Sequence, residues 1–389
     1  HRTVFLHAAW LVQALAHCGG LSALLTLSEL VKNKSCASYS ILVIDSETKN
    51  TNDRTWCFWD SNTTLDEISC QNWYQIWFKT EQLNNLLPLT PYHYKMIRSQ
   101  AFYASMHETL KNHHNIEFSN EKVLEFFEEQ NRCMVKTTKA TYSCSKIMNS
   151  VFHSNWVTSQ SRYPLVQQHF IGWFVKTKEP VFTEKCATFM DFSVEQKQTT
   201  RFMYILPQSS TEALVEYTLF SKDLLQKEEY EEAIHTYLKQ LGVTAYDILE
   251  KEYGNIPMTS YPFWKHNTKN IIHIGSAGGW TKASTGFTFK NSMKKSKPLA
   301  KAILKGTDFR KLYKKSRFWF YDLLLIDILF DTNQHGKSIF NALFERKKAP
   351  LIFKFLDEET SFWEDLQVIW MCPKKLFIKA LAKRIVKGF

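Results

Sequence analysis

The amino-acid sequence predicts an α/β fold that contains a dinucleotide-binding βαβ unit, on three observations. At 389 residues the chain is long for one hydrophobic core, so two intertwined domains or one large α/β unit are expected. Residues 40–45, Ser-Ile-Leu-Val-Ile-Asp, form a continuous apolar run ending in an acid, which is typical of a buried parallel strand. Upstream, apolar residues pass through Gly19 and Gly20 into a helical pattern, so strand, glycine turn, helix and strand follow in order.

The start of the chain has no charged residue between Thr3 and Ser28, and this permits two interpretations. By hydropathy the stretch is a marginal transmembrane or signal-like segment. Because Gln13, His17 and two adjacent glycines interrupt it, a strand, a glycine turn and an opening helix explain the same residues about as well.

Composition limits the class of protein. With 44% hydrophobic and 22% charged residues the chain is globular and not disordered. Aromatic residues make up 15%, which indicates either a well-filled core or an apolar groove walled by rings. The eight cysteines show no Cys-x-x-Cys pair and no paired Cys/His spacing. We therefore expect neither a zinc site nor a disulfide framework, and a reducing cytoplasm fits.

The formal net charge of +11 permits a nucleic acid or an anionic membrane surface as a partner. No known nucleic-acid-binding signature accompanies the charge, so we expect a membrane surface and no nucleic acid. In the last helical stretch, lysines recur every four residues and apolar residues take another face. This pattern indicates a basic amphipathic helix that lies on a membrane, or equally a solvated helix packed on the core. The residues concerned are Lys375, Lys379, Lys383 and Lys387, with Phe377, Ile378, Leu381 and Ile385 on the other face.

The glycine turn before the first predicted helix is a candidate cofactor site. A complete fingerprint is G-x-G-x-x-G, in which the first two glycines let the backbone approach the pyrophosphate. With Gly20 in the last slot, the earlier slots hold Leu15 and His17, so only the helix-packing glycine is present. Asp45 stands where the spacing rule of roughly 20 residues places the ribose-binding acid. Taken alone, this turn is a weak signal.

Two further segments are candidate cofactor contacts. Residues 52–59 pass from polar residues into an aromatic cluster, and either Arg54 and Thr55 face a cofactor or a surface loop enters the core. Residues 275–289 hold four glycines and five hydroxyl residues, which indicates close backbone approach to a ligand such as a flavin, or else a glycine-rich connection. The candidates in this loop are Gly275, Ala277, Gly278, Gly279 and Gly286.

A carboxylate, Glu216, lies in the strand-like run 213–220, which a turn at 208–211 joins to the run 201–207 in a predicted hairpin. In a strand, Leu214, Glu216 and Thr218 share one face. Glu216 is then either exposed or a buried acid with a raised pKa, suited to act as a general acid or to face a developing cation. The pattern alone favours the exposed position.

At these four places together the sequence resembles the bacterial lycopene β-cyclases. The motifs that carry the likeness are long, follow in order, and run from about residue 40 to the C-terminus. They are N-D-R-T-W-C-F-W at 52–59, Q-Q-H-F-I-G-W at 167–173, A-T-F-M-D-F at 187–192, T-E-A-L-V-E-Y-T-L-F at 211–220, G-N-I-P-M at 254–258, and the loop 275–289.

The resemblance implies a Rossmann-like FAD-binding domain interleaved with an antiparallel-sheet substrate domain, followed by a helical, basic C-terminal region. The first is expected to comprise residues 1–70, 250–300 and part of 95–155; the second, residues 71–94 and 156–249; and the third, residues 301–389. Family members bind FAD, keep it reduced with electrons from NAD(P)H, and cyclise the ψ ends of lycopene without net redox change. On this resemblance Glu216 is the catalytic glutamate, Asp45 the ribose-binding acid, and the Gly275 loop the second flavin contact.

Two departures and two alternatives accompany the resemblance. Upstream of Cys18 little likeness is found, and Phe287 stands where family members usually carry Tyr. A flavin monooxygenase shares the implied fold but needs oxygen and stoichiometric NADPH. A degenerate, non-catalytic relative is the other alternative. The resemblance implies lycopene and related acyclic carotenoids as substrates, and a cytoplasmic enzyme peripheral on the inner face of the membrane.

Overall fold

The computed structural model describes residues 2–5, 9–13, 19–313 and 315–388, with the backbone alone at 2–5, 9–13 and 19. The predicted glycine slots at Leu15 and His17 lie outside the described residues. In the described part of the chain the strands are β1 (Arg2–Phe5), β2 (Ala9–Gln13), β3 (Ser40–Asp45), β4 (Thr55–Asp60), β5 (Gln71–Trp73), β6 (Gln75–Lys79), β7 (Asn84–Pro88), β8 (His93–Arg98), β9 (Ile116–Asn120), β10 (Val123–Glu129), β11 (Arg132–Thr137), β12 (Ala140–Cys144), β13 (Lys146–Asn149), β14 (Val166–Thr177), β15 (Cys186–Asp191), β16 (Thr200–Pro207), β17 (Glu212–Ser221), β18 (Tyr246–Met258) and β19 (Ile271–His273).

Helices occupy the remaining regular segments of the described residues. They are α1 (Gly19–Val31), α2 (Ser99–Leu110), α3 (Ser154–Thr158), α4 (Lys227–Gln240), α5 (Phe289–Leu304), α6 (Arg317–Asp331), α7 (Gly336–Phe344), α8 (Ala349–Leu356), α9 (Phe362–Met371) and α10 (Lys374–Lys387).

A parallel sheet of five strands carries the predicted βαβ unit. Its order is β19-β13-β2-β3-β9, and every neighbouring pair is parallel. β2, α1 and β3 follow one another in the chain, and β2 pairs directly with β3. β3 is apolar and four of its six residues are buried. Ile41 and Val43 pack against α1, α2 and α5, while Leu42 and Ile44 pack against the four-stranded sheet, so both faces are covered as a parallel sheet requires. The prediction of a strand at Ser40–Asp45 inside a Rossmann-like α/β fold is therefore confirmed.

A second, mainly antiparallel sheet has seven strands in the order β18-β14-β17-β16-β15-β6-β7, with β15 and β6 parallel. The predicted hairpin is present, since β16 pairs antiparallel with β17 across the turn at 208–211. β18 runs from residue 246 to 258, so the expected domain boundary at residue 250 lies inside this strand. A four-stranded sheet, β1-β12-β11-β10, completes the periphery.

The small sheet β4-β8-β5 lies between the two large hydrophobic clusters. Phe58 of β4 packs in the cluster formed by α1, α2 and α5, and its ring stacks on Phe289 at 4.5 Å. Trp59, one residue on, packs in the cluster beneath the seven-stranded sheet and stacks on Phe353 at 4.3 Å. Successive residues of a strand point to opposite faces, so β4 serves both halves of the molecule.

The C-terminal helices cover one face of the seven-stranded sheet. Leu324, Ile339 and Phe353, from α6, α7 and α8, pack with Phe202 and Leu214 of the sheet in one cluster. The other face is covered by α4, where Ile234 packs against Val215. The helical C-terminal region expected from the sequence is thus present, and it buries the sheet on the side that carries Glu216.

α10 packs against α6, and its predicted apolar face is divided by this contact. Phe377 and Leu381 lie against the core, whereas Ile378 and Ile385 are exposed at 65% and 62%. The buried Arg384 explains why only part of the apolar face is buried. Its guanidinium pairs with Asp327 of α6, so the side of α10 that carries Arg384 faces the core. Across the described ranges, no helix combines the length and the apolar character needed to span a bilayer.

Candidate active site

Glu216 is buried in the seven-stranded sheet. It lies in β17 between β14 and β16, where it pairs with Gly172 on one side and Tyr204 on the other. Its side chain is 8% exposed, on the face covered by the C-terminal helices. The exposed position that the strand pattern favours is therefore wrong. The apolar alternation on both faces of β17 reflects a strand buried on both sides, which a two-residue period alone does not distinguish.

The environment of Glu216 stabilises the protonated carboxyl group. Burial, with a further contribution from the charge of Glu252, raises the pKa of Glu216 to about 8, and a hydrogen bond donated by the Thr218 hydroxyl to Oε1 acts in the opposite direction. An acid with this pKa keeps its proton at pH 7 and has water largely excluded from it. Glu216 can therefore act as a general acid.

Aromatic rings surround the acid. Tyr204 is its neighbour on β16, and Tyr94 of β8 lies close enough for its ionisation to be opposed by the charge of Glu216. The Phe189 ring stands between them, with its centroid 5.4 Å from that of Tyr94 and 6.0 Å from that of Tyr204. Phe287 of the glycine-rich loop stacks parallel to Phe189 at 6.4 Å. The surroundings of Glu216 on this side are therefore apolar and rich in aromatic rings.

The segment of residues 52–59 reaches the site through one residue that the sequence pointed to. The Thr55 hydroxyl donates a hydrogen bond of 2.6 Å to Glu252 Oε2. Arg54 is half-buried, and its Nη1 donates to the Asp53 carbonyl at 2.8 Å. Residues 51–54 form a loop and β4 becomes buried at Phe58 and Trp59, as the alternative of a surface loop that enters the core describes. A cofactor contact of Arg54 and Thr55 stays a prediction.

The loop at 275–289 is built on tight backbone geometry. Gly275, Gly279 and Gly286 have φ angles of 58°, 66° and 73°, in the left-handed region that favours glycine. A Cβ on Gly278 would lie 2.1 Å from the His273 carbonyl oxygen, so the turn that follows β19 has no room for a side chain. Ala277 is fully buried in the same turn, which packs against α1. The loop therefore connects the parallel sheet to the start of α5 by a fixed path.

Gly286 brings this loop onto the strand that carries Gly172. A Cβ on Gly286 would lie 2.0 Å from Gln168 Oε1, so the loop backbone is in contact with β14. Gln168 and Gly172 are four residues apart on one face of β14, a separation of about 13 Å along the strand. The glycine-rich loop and Glu216 thus line the same side of the sheet. Gln168 Oε1 and Thr285 Oγ1 are buried there without a hydrogen-bond partner in the described structure.

The other candidate cofactor residues lie at the carboxyl edge of the parallel sheet. Asp45 ends β3, where its Oδ1 accepts a hydrogen bond of 3.0 Å from the backbone N–H of Glu47, and burial raises its pKa to about 6. An open cleft of about 320 Å³ adjoins it, lined by residues 46–51, Asp53 and Asn120. Gly20 lies in the first turn of α1, and a Cβ there would meet the Tyr103 ring at 3.1 Å. Gly20 thus permits the close packing of α1 on α2.

The described residues fit a dinucleotide such as FAD in their arrangement. The carboxyl ends of β2 and β3, the N-terminus of α1 and the turn after β19 meet at one edge of the parallel sheet, where such cofactors bind in this architecture. Two buried oxygens without a hydrogen-bond partner in the described structure lie near this edge. They are Asp53 Oδ1, in the cleft beside Asp45, and Thr285 Oγ1, in the glycine-rich loop. Hydroxyl and amide donors of a bound nucleotide would satisfy them.

Sequence reasoning missed most of the residues that surround Glu216. Glu252 was not singled out although it lies two residues before the G-N-I-P-M segment, and so on the same face of β18 as Gly254. Tyr94 and Tyr204 were also missed. These residues could be found only from cross-strand pairing. That requires the register in which β14, β16, β17 and β18 pair, and not only the prediction that the strands exist.

Comparison with known proteins connects this site to a family. The family model for "Lycopene cyclase protein" matches residues 16–382. A lycopene beta-cyclase from Paracoccus sp. (strain N81106 / MBIC 01143) is 29% identical over 126 residues, which are 31% of this chain. The match spans about a third of that relative's length, 32%.

Solved structures share the fold at low identity. A geranylgeranyl bacteriochlorophyll reductase-like protein from Thermoplasma acidophilum superposes with a TM-score of 0.62 at 10% identity, covering 97% of this chain and 99% of the other. The p-nitrophenol 4-monooxygenase PnpA from Pseudomonas putida gives 0.57 at 12%, covering 91% and 96%. Klebsiella pneumoniae HpxO complexed with FAD gives 0.57 at 13%, covering 94% and 100%.

The fold of this chain is therefore one that flavin-dependent enzymes use, and the predicted fold class is confirmed. Since the family model covers almost all of the described residues, including the buried acid at 216 and the glycine-rich loop, the resemblance inferred from the motifs is also confirmed. The chain belongs to the lycopene cyclase family.

Proposed function

We propose that the protein is a lycopene β-cyclase, which converts the ψ end groups of lycopene to β-rings, giving γ-carotene and β-carotene. The single observation that carries the proposal is the burial of Glu216 beside aromatic residues, which raises its pKa. The reaction needs an acid, exclusion of water and π-rich surroundings for a cation, and a buried acid with aromatic neighbours is present at this residue. The reaction class is an intramolecular lyase or isomerase, because no atoms are gained or lost.

Glu216 is the proposed proton donor. Its O–H bond breaks as a C–H bond forms at the terminal double bond of the end group, which leaves a tertiary carbocation. The neighbouring double bond attacks that carbon and closes a six-membered ring. Loss of a proton beside the new cation then forms the ring double bond. One proton enters and one leaves, so the chemistry has no net redox change.

The rings around Glu216 stabilise the cation and exclude water. Tyr204 pairs with Glu216 across the strands, and Tyr94 and Phe189 pack edge-to-face beside it in one aromatic cluster. Cation–π attraction contributes roughly 0.5–2 kcal/mol for each well-placed ring. Burial raises the pKa of both tyrosines well above the usual value, so their hydroxyls stay neutral and do not capture the cation as phenolates.

The proposal includes FAD as the cofactor, kept reduced by NAD(P)H. Asp45 would bind the adenosine ribose. Gly20 would let the first turn of α1 come close to the cofactor, and Arg54, Thr55 and the loop residues 275–286 would contact the flavin half. When bound, reduced FAD supplies negative charge that stabilises a carbocation. The proposed division of labour follows the sequence expectation except at β18. Residues 1–70, 259–300 and part of 95–155 bind the cofactor, and residues 71–94 and 156–249 with the rest of β18 bind the carotenoid.

We also propose that an anionic membrane surface is a partner, because the substrate is insoluble in water. α9 presents an exposed apolar face and α10 an exposed row of lysines. Lys374 joins them, with its Nζ 3.3 Å from the Trp370 ring centroid. Exposed rings beside lysines match the interface of an anionic bilayer on its cytoplasmic side. The residues are Phe362, Trp363, Leu366, Ile369 and Trp370 on α9, and Lys375, Lys379, Lys383 and Lys387 on α10.

The test is conversion of lycopene by the purified protein. Lycopene in anionic vesicles is incubated anaerobically with the protein, FAD and a chemical reductant, and pigments are separated by chromatography. β-Carotene formed without oxygen supports the cyclase. A product that appears only with oxygen and consumes NADPH would establish a monooxygenase instead. A protein that acquires no flavin absorbance with excess FAD, and forms no product, would establish a non-catalytic relative.

A further inference from the structure

A second carboxylate stands on the same sheet face as Glu216. Gly172 of β14 pairs with Glu216 of β17 on one side and with Glu252 of β18 on the other. Directly paired residues project from the same face of a sheet, so the two acids flank the glycine. A Cβ on Gly172 would lie 3.4 Å from Glu216 Cβ and 3.3 Å from Glu252 Cγ. The space above Gly172 is occupied by Leu214, whose Cδ1 would lie 2.8 Å from such a Cβ, and by the aliphatic parts of both acids.

The two acids have different surroundings. Glu216 is 8% exposed, while Glu252 is only partly buried. Glu252 Oε2 accepts a hydrogen bond of 2.6 Å from the Thr55 hydroxyl. Burial raises the pKa of Glu252, and the Thr55 hydrogen bond and the charges of Arg98 and Arg54 oppose that rise. Cations, a hydrogen-bond donor and solvent all lie on the Glu252 side, so negative charge is more stable there than on Glu216.

We propose that Glu252 is a positioning residue that forms a carboxylate dyad with Glu216, in which the proton stays on Glu216 and the negative charge stays on Glu252. The negative charge of Glu252 opposes ionisation of Glu216 across the width of β14, and the unequal surroundings of the two acids decide which one keeps the proton. The role in catalysis rests on the proposed cyclase function. The dyad itself rests only on the geometry around Gly172.

The dyad gives the reaction cycle a consistent proton balance. When the Glu216 O–H bond breaks and the C–H bond forms, the dyad carries two negative charges beside a single carbocation. At that moment the two negative charges stabilise the carbocation most strongly, and they also repel each other most strongly. Breaking the C–H bond next to the ring cation returns one proton to the dyad. No electrons are transferred and no co-reactant is needed.

Few other groups control the protonation of Glu216. Burial raises the pKa of Cys57 and of the two nearby tyrosines, so these groups stay neutral around pH 7. The Arg98 guanidinium is engaged by Glu250, with Nη2 to Oε1 at 2.6 Å. The titratable and charged groups facing the pair are Arg54 and Cys57 of the β4 segment, Tyr94 and Arg98 of β8, Tyr204 of β16, and Glu250 of β18.

The experiment measures the pKa of Glu216 directly in the full-length purified protein. Infrared difference spectra across a pH series follow the protonated-carboxyl stretch, which is assigned by its loss in Glu216→Gln. In Glu252→Gln the carboxylate charge is lost while the amide oxygen still accepts from Thr55. We expect the Glu216 pKa to fall by about one unit, the effect of removing a charge about 10 Å away through a protein interior. Glu250→Gln is the matched control on the same strand, and should leave the titration within a few tenths of a unit.

Two results would overturn the dyad: an unchanged Glu216 pKa in Glu252→Gln, or an equal fall in Glu250→Gln. If Glu252→Gln does not fold, Thr55→Val serves instead: loss of the Thr55 hydrogen bond should raise the pKa of Glu252, and the negative charge lost from Glu252 should lower the pKa of Glu216. The infrared titration needs neither cofactor nor substrate, so it holds or fails independently of the cyclase proposal. In an active enzyme the alkaline limb of the rate profile should move to lower pH in Glu252→Gln, by the same amount as the titration.

Discussion

Replacing Glu216 by Gln should change how protein stability depends on pH. Burial raises the pKa of this carboxyl group from 4.5 to about 8 in the folded state. The folded protein therefore binds more protons than the unfolded chain between these two values, and stability is lost as pH rises through that window. The glutamine side chain of the Glu216→Gln variant is neutral at every pH, so the variant does not lose this contribution.

The magnitude follows from the size of the pKa shift. One pKa unit corresponds to about 1.4 kcal/mol, so the cost of ionising Glu216 approaches roughly 4–5 kcal/mol above pH 8 and is largely absent below pH 4.5. Between pH 6 and pH 8 the free energy of unfolding of the wild type should fall by about 2 kcal/mol relative to Glu216→Gln.

Urea unfolding at pH 6, 7 and 8, followed by circular dichroism, measures the difference. Glu212→Gln is the matched control, because Glu212 lies on the same strand and forms a surface ion pair with Lys176 at 2.7 Å. Its effect should stay within about 1 kcal/mol at every pH. If the stabilities of the wild type and Glu216→Gln run parallel across this range, Glu216 is not a buried acid with a raised pKa, and the reasoning is wrong.

Three further perturbations test other parts of the structure. Gly278→Ala should destabilise the protein by several kcal/mol, because its Cβ would lie 2.1 Å from the His273 carbonyl oxygen. Thermal unfolding measures this loss, and an unchanged melting temperature would contradict the geometry of the turn. Lys282→Met should cost about 3–5 kcal/mol, since it leaves the buried Asp322 carboxylate without its ion-pair partner. Urea unfolding measures this cost, and a loss below about 1 kcal/mol would count against the pair. The double change Trp363→Ser and Trp370→Ser should abolish flotation with anionic vesicles without lowering the melting temperature, and retained flotation would exclude this face as the docking surface.

Much of the fold could be predicted from local pattern. The apolar run at 40–45 and the hairpin 201–220 are strands because they carry continuous apolar or β-branched residues bounded by turn residues. The burial of Glu216 could not be read in this way. It depends on helices α6 to α8, which lie more than a hundred residues further along the chain and cover the face that Glu216 shares with Leu214.

The residues of the site also fall into those that local sequence predicts and those that only tertiary structure brings together. Motif likeness pointed to Glu216 and to the loop at 275–289, because these residues are contiguous in sequence. Glu252 and Tyr204 become neighbours of Glu216 only through strand register, and Glu252 lies in a charged stretch typical of an exposed edge. For α10, the periodicity indicated one apolar face, but the buried Arg384–Asp327 pair decides which residues face the core.

Pigment analysis in cells that accumulate lycopene tests the central claim most directly. Expression of the wild-type chain should convert lycopene to γ-carotene and β-carotene, whereas Glu216→Gln, expressed at the same level, should leave lycopene unchanged. Unconverted lycopene in cells expressing the folded wild-type protein would contradict the proposed function. Wild-type amounts of β-carotene in cells expressing Glu216→Gln would contradict the role of the buried acid.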